Sequence, residues 1–492
     1  MKYDVIIIGG GLGGLTAGAK LAREGKKVLL LEQHDRPGGY ATTFKRGDFI
    51  LEVGLHETDG PSPGDMKTRI FNDLDVFNHV EFIRLPEFYR FMNDRVDVTV
   101  PHDPVVAAER LSALFPQETD GISAFFGQLL KPGKRGPEVD HHDRSVGDFL
   151  DSIIRNEDLK LILLGNLGYF HDDPYSLSLA YYTVAQGSYF AGGGSFIKGG
   201  SQKLSDYLAG YIRNHGGEVL LNHLVTGITM DGAKATGVIY QRRKTKDGRR
   251  KTEDERPIEG WADDIIVNAA MPAVAELLPE EYGRELNHQL VNQKTGASLL
   301  TIYFGFNKPL KELGYHYYSA FIFDKTIQSQ KDILKNNSDD FAFRSFTFTN
   351  YGQVDSMLAP AGKSVGAICC IDYLKDWENL GRKEYLAKKE RVASAFIERL
   401  EKLIPGVREI IEYCEVGTPA TLKRYTLNPG GAVYGFAQTP AKKAIDFSKL
   451  PDNLHFASAW GKTGGGFSGA IYSGYLCAIG ILRKRPVKGT AL

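Results

Sequence analysis

The chain has 492 residues, with 60 Lys+Arg against 60 Asp+Glu, 42% hydrophobic residues and 24% charged ones. That length suggests two or three domains with ample core, and the even charge gives no electrostatic case for nucleic acid or for recruiting acidic partners. Cys369, Cys370, Cys414 and Cys477 form no C-x-x-C pair and no bridging framework, so reduced thiols are expected and no metal set is read.

The strongest signal is N-terminal. Val5-Ile6-Ile7-Ile8 is a β-branched run, as a parallel strand buried on both faces would be. Gly9-Gly10-Gly11-Leu12-Gly13-Gly14 follows and contains G-x-G-x-x-G at Gly9, Gly11 and Gly14. Residues 15–24 predict a helix with Leu15, Ala19 and Ala22 at helical spacing. Val28-Leu29-Leu30-Leu31 predicts the next strand, with Glu32 at its carboxyl end. Gly9 permits the tight turn, Gly11 lets the backbone approach a pyrophosphate, and Gly14 lets helix and strand pack closely. The helix N-terminus offers unpaired N–H groups and a positive dipole to the phosphates. Glu32 stands eighteen residues after Gly14, near the spacing of an acid that holds a ribose. Strand, turn, helix and acid together predict a dinucleotide-binding unit, which a glycine turn alone would not.

Glu32-Gln33, then Gly38-Gly39-Tyr40-Ala41-Thr42-Thr43-Phe44, resembles the FAD fingerprint of the amine oxidase and phytoene desaturase superfamily. Phe49-Ile50-Leu51-Glu52-Val53-Gly54-Leu55-His56 resembles the "F-x-[FL]-[DE]-x-G-x-H" stretch of retinol saturases. That branch also includes carotenoid isomerases and bacterial phytoene desaturases. The chain departs from it at Tyr40-Ala41, and at Glu57, where an aromatic residue is expected. These departures bear on the substrate and not on the cofactor.

The first strand begins within five residues of Met1, leaving no room for a signal peptide, and no run approaches the roughly 18 apolar residues of a spanning helix. A cytoplasmic protein is expected, with peripheral contact at the inner face of a membrane left open. Residues 61–190 read as an insertion that is rich in aromatics, among them Phe82, Phe88, Tyr89, Phe91, Phe125 and Phe126. A basic stretch, Lys131-Pro132-Gly133-Lys134-Arg135-Gly136, follows. It reads either as a membrane-dipping edge or, more simply, as a solvated loop beside core aromatics. His141-His142-Asp143 reads as solvated rather than ligating. Residues 159–169 and 177–184 predict apolar helices that suit a cavity wall or a core equally.

The chain then returns to the cofactor. Tyr189-Phe190 and the Gly192-Gly193-Gly194 turn precede a helix over 204–214, and Gly216-Gly217-Glu218-Val219 leads to a strand and to Val225. The resemblance implies that the Val225 backbone meets the adenine. It also brings the Gly192–Gly194 turn and Lys198 toward the flavin and substrate face, against the plain reading of Lys198 as a surface lysine. Residues 236–240 and 258–261 predict a meander, with a charged hairpin extension over 241–256. Residues 264–270, including Ala269, resemble the strand that re-enters the nucleotide fold. Residues 298–306 and 364–373 predict strands, and 376–403 a helical pair. Gly464-Gly465-Gly466-Phe467-Ser468-Gly469 opens a last helix. It resembles the family's C-terminal segment, where a helix dipole faces the flavin. It is not a second dinucleotide site, because no strand and acid follow.

The fold class is α/β: a discontinuous Rossmann-like FAD-binding domain (1–65, 190–272 and 415–492) with a mixed α+β substrate domain (66–189 and 273–414), similar to amine oxidases and phytoene desaturases. The resemblance implies an FAD-dependent oxidoreductase acting on carbon–carbon double bonds of a hydrophobic isoprenoid, by desaturation, saturation or isomerisation. Hydride exchange with a polyene needs no acid–base dyad, and residues 273–414 show no nucleophile–base set. His56 is the candidate polar group near the flavin, against a structural histidine; Tyr425 and Trp460 are further candidates for lining the site. The alternatives are an amine oxidase, with Tyr425 and Trp460 as an aromatic cage, and a non-catalytic prenyl-binding module of the GDP-dissociation-inhibitor type.

Overall fold

The structure is a computed structural model that describes residues 2–130, 144–246, 249–252, 256–440, 442–461 and 463–484. Two large sheets organise it. In the first, parallel strands lie in the order Glu218–Leu220, Val28–Leu31, Lys2–Ile8, Ile258–Val267 and Leu454–Phe456. Both faces are covered, which is why residues 5–8, 28–31 and 265–267 are apolar without alternation. Val5, Ile7, Val28 and Leu30 pack on the helices Leu12–Arg23, Gln202–Asn214 and Gly466–Lys484. Ile6, Ile8, Leu29 and Leu31 face the opposite core with Val225, Val238 and Met271.

The segments read from sequence as two strands, 258–261 and 264–270, are one strand, Ile258–Val267. Its first half pairs with Lys234–Lys246 in the meander and its end pairs with Leu454–Phe456. The two acids in the middle of this strand are both paired. Asp263 meets Lys2 at 2.7 Å and Asp264 meets His455 at 3.0 Å. The charged hairpin continues Lys234–Lys246 into Arg249–Thr252.

The second sheet runs Ile411–Gly417, Ser298–Phe306, Ser364–Asp372, Phe346–Asn350, Ser319–Ile322, Tyr89–Met92, Asp97–Val100. Only Ser319–Ile322 with Tyr89–Met92 is parallel. The strand period of two divides its faces. Leu300, Ile302 and Ile368 pack on Val392, Phe396 and Leu400 of the helix Arg382–Leu403. Leu299, Thr301, Cys369 and Ile371 face a cavity on the other side. The expected domain edge at 414/415 falls inside the strand Ile411–Gly417. A small sheet of Thr58–Asp59, Phe82–Arg84 and Gly194–Ile197 lies at the junction.

A helical layer completes the substrate side. The predicted helix over 159–169 is shorter, Glu157–Leu163, and breaks at Gly165 before the 3-10 turn Leu167–Tyr169. The one over 177–184 is longer. Leu179–Gly192, capped by Ser178, absorbs Tyr189 and Phe190. The predicted helical pair over 376–403 is a single helix, Arg382–Leu403, after a 3-10 turn, because Glu384 reaches back to the Gly381 N–H at 3.1 Å and starts it there. Phe88, Phe91, Phe125 and Phe126 form the core of this layer and do not reach a surface edge. Residues 131–136 and 141–143 lie outside the described residues. Among those described, no helix is long and apolar enough to cross a membrane.

Candidate active site

The glycine loop is built around Asn268, which stands just past the strand Ile258–Val267. Its side-chain N–H donates to Gly9 O at 3.1 Å. Gly9 has φ +99°, and a Cβ on it would lie 2.7 Å from Asn268 O. A Cβ on Gly14 would lie 2.2 Å from Gly9 O, and one on Gly13 would lie 2.0 Å from Ala457 O. The loop therefore tolerates no side chain at these positions. Gly11 caps the helix Leu12–Arg23 without a side chain, so the first-turn N–H groups point at the ligand position with the positive end of the helix dipole.

Glu32 is buried. It accepts from Gly10 N at 2.6 Å and from His34 N at 2.8 Å, which holds its carboxylate across the mouth of the turn. Gln33 accepts from Arg243 at 3.3 Å. Gly38 donates to Gly10 O at 2.7 Å and bridges Gly11, and Gly38 and Gly39 both have positive φ. The second glycine pair thus lies directly against the first. Thr42 hydrogen-bonds Gln202. The Tyr40 hydroxyl reaches Ala432 O at 3.1 Å, and burial pushes it up to about 12. Val225 lies in the strand His223–Asp231, whose first N–H binds Glu32 O at 2.8 Å; Ala269 is half-buried next to Asn268.

Glu52, in the saturase-like stretch, has a role that sequence did not reveal. Its oxygens accept from Ser201 N (2.7 Å), Ser201 Oγ (2.6 Å), Leu55 N (3.2 Å) and Gly54 N (3.3 Å). This clamps the turn holding Gly54, Leu55 and His56 to the start of the helix Gln202–Asn214. Tyr351 and Tyr318 bind the carbonyls of Leu55 and His56 at 3.1 and 2.6 Å. Gly54 and His56 line the cavity, whereas Leu55 is buried behind it.

The helix Gly466–Lys484 brings its N-terminus to the same place. Gly465, Gly466, Phe467 and Gly469 line the cavity, and Gly465 leaves no room for a Cβ, which would lie 2.4 Å from Tyr434 O. A buried network fixes this end. Lys67 Nζ donates to Ser468 Oγ at 2.9 Å and pairs with Asp59 at 2.9 Å, while Ser468 donates to Asp59 at 2.5 Å. Tyr472 donates to Asp65 at 2.6 Å. This network joins residues some 400 positions apart, so no local pattern announces it.

The cavity, of about 380 Å³, lies between these elements and the second sheet. Leu167, Phe170, Phe321, Ile327, Leu299 and Ile371 give it apolar walls, and Tyr169, Tyr181 and Tyr434 add aromatic ones. His56 stacks obliquely on Tyr169 at 5.8 Å, and burial pulls its imidazole down to about 4. It is therefore neutral at physiological pH.

Three sequence candidates lie elsewhere. Tyr425 is 44% exposed and packs on His34, whose ring nitrogen meets Tyr425 O at 2.7 Å. That is the nucleotide side, beside Glu32. Trp460 is buried edge-on against Phe436 in the core beneath the meander. Neither lines the cavity, so they form no cage there. Lys198 pairs with Glu81 and Asp355 at 3.3 and 2.9 Å, away from the cavity. The surface reading of that lysine is correct. Of the Gly192–Gly194 turn, Gly194 packs against the Glu57 side chain.

FAD fits this arrangement. The cradle that excludes Cβ atoms would take the pyrophosphate, Glu32 the ribose, and the turn at Gly54 with the second helix N-terminus the flavin. The family model for flavin containing amine oxidoreductases matches residues 12–482. Among curated relatives, prolycopene isomerase 1 of an Oncidium hybrid cultivar is 27% identical, covering 100% of this chain and 86% of its own length. All-trans-retinol 13,14-reductase of Danio rerio is 25% identical, covering 88% and 77%. The 4,4'-diapolycopen-4-al dehydrogenase of Metabacillus indicus is 24% identical, covering 98% of each. Among solved structures, an oxidoreductase from Methanosarcina mazei superposes with TM-score 0.67 at 17% identity, covering 98% of this chain and 100% of that one. Putrescine oxidase bound to putrescine does so with TM-score 0.64 at 16% identity, covering 98% and 99%. The chain belongs to the flavin containing amine oxidoreductase family, and FAD is its cofactor.

Proposed function

We propose that the protein is an FAD-dependent oxidoreductase acting on carbon–carbon double bonds of a hydrophobic isoprenoid polyene. The observation that carries this reading is the apolar cavity walled by Leu299, Phe321, Ile327 and Ile371, which reaches Gly54, His56 and Gly466, where this reading seats the flavin. The names of the relatives, an isomerase of prolycopene and a reductase of retinol, support the same substrate class. Bound FAD supplies hydride exchange at N5. The chain's own part is to exclude water, align an extended substrate along the apolar walls and present a neutral imidazole at His56. Tyr425 and Trp460 do not supply the aromatic cage that would favour amine oxidation.

Val184 lines the cavity and is 61% exposed, so the cavity opens at the helix Leu179–Gly192. We take this opening as the way in for a lipid substrate, by peripheral contact with a membrane. Co-sedimentation with lipid vesicles, reduced by Val184→Lys, tests it.

The test of function is anaerobic. The flavin is reduced, and phytoene, a cis-carotenoid or retinol is added. Reoxidised flavin with a saturated product marks a saturase, and an isomerised product with the flavin still reduced marks an isomerase. Oxidised enzyme bleached by a polyene marks a desaturase. If no polyene reacts and an amine reduces the oxidised enzyme, the reading is wrong. A purified protein that takes up no FAD would return the prenyl-binding alternative.

A further inference from the structure

Three acids line the cavity in different states. Asp59 is held by Lys67 and Ser468. Asp172 is held by His171 at 2.9 Å and by the Tyr373 hydroxyl at 2.8 Å. Glu57 differs: it is 7% exposed, and among the described residues neither of its oxygens has a hydrogen-bond partner. Tyr169 also lines this cavity; its hydroxyl is buried beside the Ser319 hydroxyl, but among the described residues it meets no hydrogen-bond partner in good geometry. His171 Nε2 at the same cavity is likewise buried without a hydrogen-bond partner among the described residues. Burying unpartnered polar groups is costly, so three of them at one cavity point to a ligand that supplies partners.

The surroundings are built for the carboxyl. It packs over Gly194, where a Cβ would lie 2.7 Å from Oε2, so only glycine leaves it space. Burial, then the neighbouring Glu87 and Asp59, raise the Glu57 carboxyl well above the ordinary range. In its protonated form a carboxyl both donates and accepts, which matches an alcohol or a carbonyl. Glu57 and Tyr169 line the same cavity, and burial, then the charge of Glu57, raises the Tyr169 hydroxyl well above its ordinary value.

We propose that Glu57 and Tyr169 form a hydrogen-bonding station that selects polyenes carrying a hydroxyl or carbonyl oxygen over pure hydrocarbons. This rests on the polyene reading above. It assigns Glu57, where the resemblance to retinol saturases led us to expect an aromatic residue, as a specificity-determining side chain.

The test is equilibrium binding to the oxidised holoprotein, read by the absorption shift of the bound polyene. Retinol, its deoxy hydrocarbon and its primary amine share one C20 skeleton. Retinol should bind about ten- to a hundredfold tighter than the hydrocarbon. Glu57→Leu should erase that preference while keeping hydrocarbon affinity, and Glu57→Gln, which still donates and accepts, should keep most of it. The FAD content of each variant reports folding. Equal affinity of the wild type for alcohol and hydrocarbon overturns the station and leaves the polyene reading standing, as does a preference that survives Glu57→Leu. Tightest binding of the amine overturns it in favour of a carboxylate–ammonium pair. If no polyene binds, the polyene reading fails and takes this inference with it.

Discussion

Gly474→Ala tests whether the two helix N-termini proposed to hold FAD are kept in register by backbone contact. Gly474 is buried in the helix Gly466–Lys484, and a Cβ on it would lie 2.1 Å from Gly13 O, 2.9 Å from Gly13 C and 3.0 Å from Gly13 Cα. These are backbone atoms, so nothing can rotate aside. Gly13 cannot retreat either, because its own Cβ position lies 2.0 Å from Ala457 O on the side facing Asn268. Relieving the clash parts the helices by about 1 Å, which as overpacking costs roughly 1–3 kcal/mol. The same shift moves Gly465 and Gly466 away from the Gly11 loop, and FAD affinity should fall at least about tenfold, or ~1.4 kcal/mol. Gly480→Ala, in the same helix, meets nothing within 4 Å and should gain up to about 1 kcal/mol from helix propensity. Denaturant midpoints of the two variants, with flavin fluorescence titrations of their apoproteins, give the comparison. If Gly474→Ala unfolds with Gly480→Ala and binds FAD like the wild type, the close contact does not govern the site.

Glu32→Ala should cut FAD affinity by about ten- to a hundredfold, since it removes the carboxylate proposed to hold the ribose and orphans the buried Gly10 N–H; retention of FAD through desalting measures it. Arg344→Met should destabilise by about 3–5 kcal/mol, because Asp372 is fully buried against Arg344 at 2.8 Å and would keep only the Trp377 N–H; urea unfolding reads this. The His56 imidazole, pulled down to about 4, binds its proton later in the folded chain than in the unfolded one, where His titrates near 6.5. Its contribution is therefore present above about pH 6.5 and is lost as pH falls toward 4, by up to about 3 kcal/mol. His56→Phe should flatten that slope in apoprotein unfolding between pH 7 and 4.5, and an unchanged slope would show that His56 is not held neutral.

The cofactor was legible in sequence because its determinants are local. Strand, glycine turn, helix and Glu32 follow one another within a single βαβ unit, and glycine is demanded where backbones touch, whatever surrounds them. The apolar runs of the parallel strands were equally plain, since both faces are buried. What tertiary structure decided is everything assembled from distant segments. Asn268 becomes the hub of the glycine loop only because Ile258–Val267 lies beside Lys2–Ile8. Glu52 becomes a clamp only when Ser201 arrives, and Lys67 meets Ser468 across the whole chain. Tyr425 and Trp460 carry the right chemistry for a cage but sit on the nucleotide side and in the core, because their positions follow the path of the chain and not their residue type. Glu57 looked like a mere departure from a pattern. Folding gave it meaning by burying it at the cavity wall with no hydrogen-bond partner among the described residues, since a carboxyl's chemistry is set by its surroundings and not by its place in the sequence.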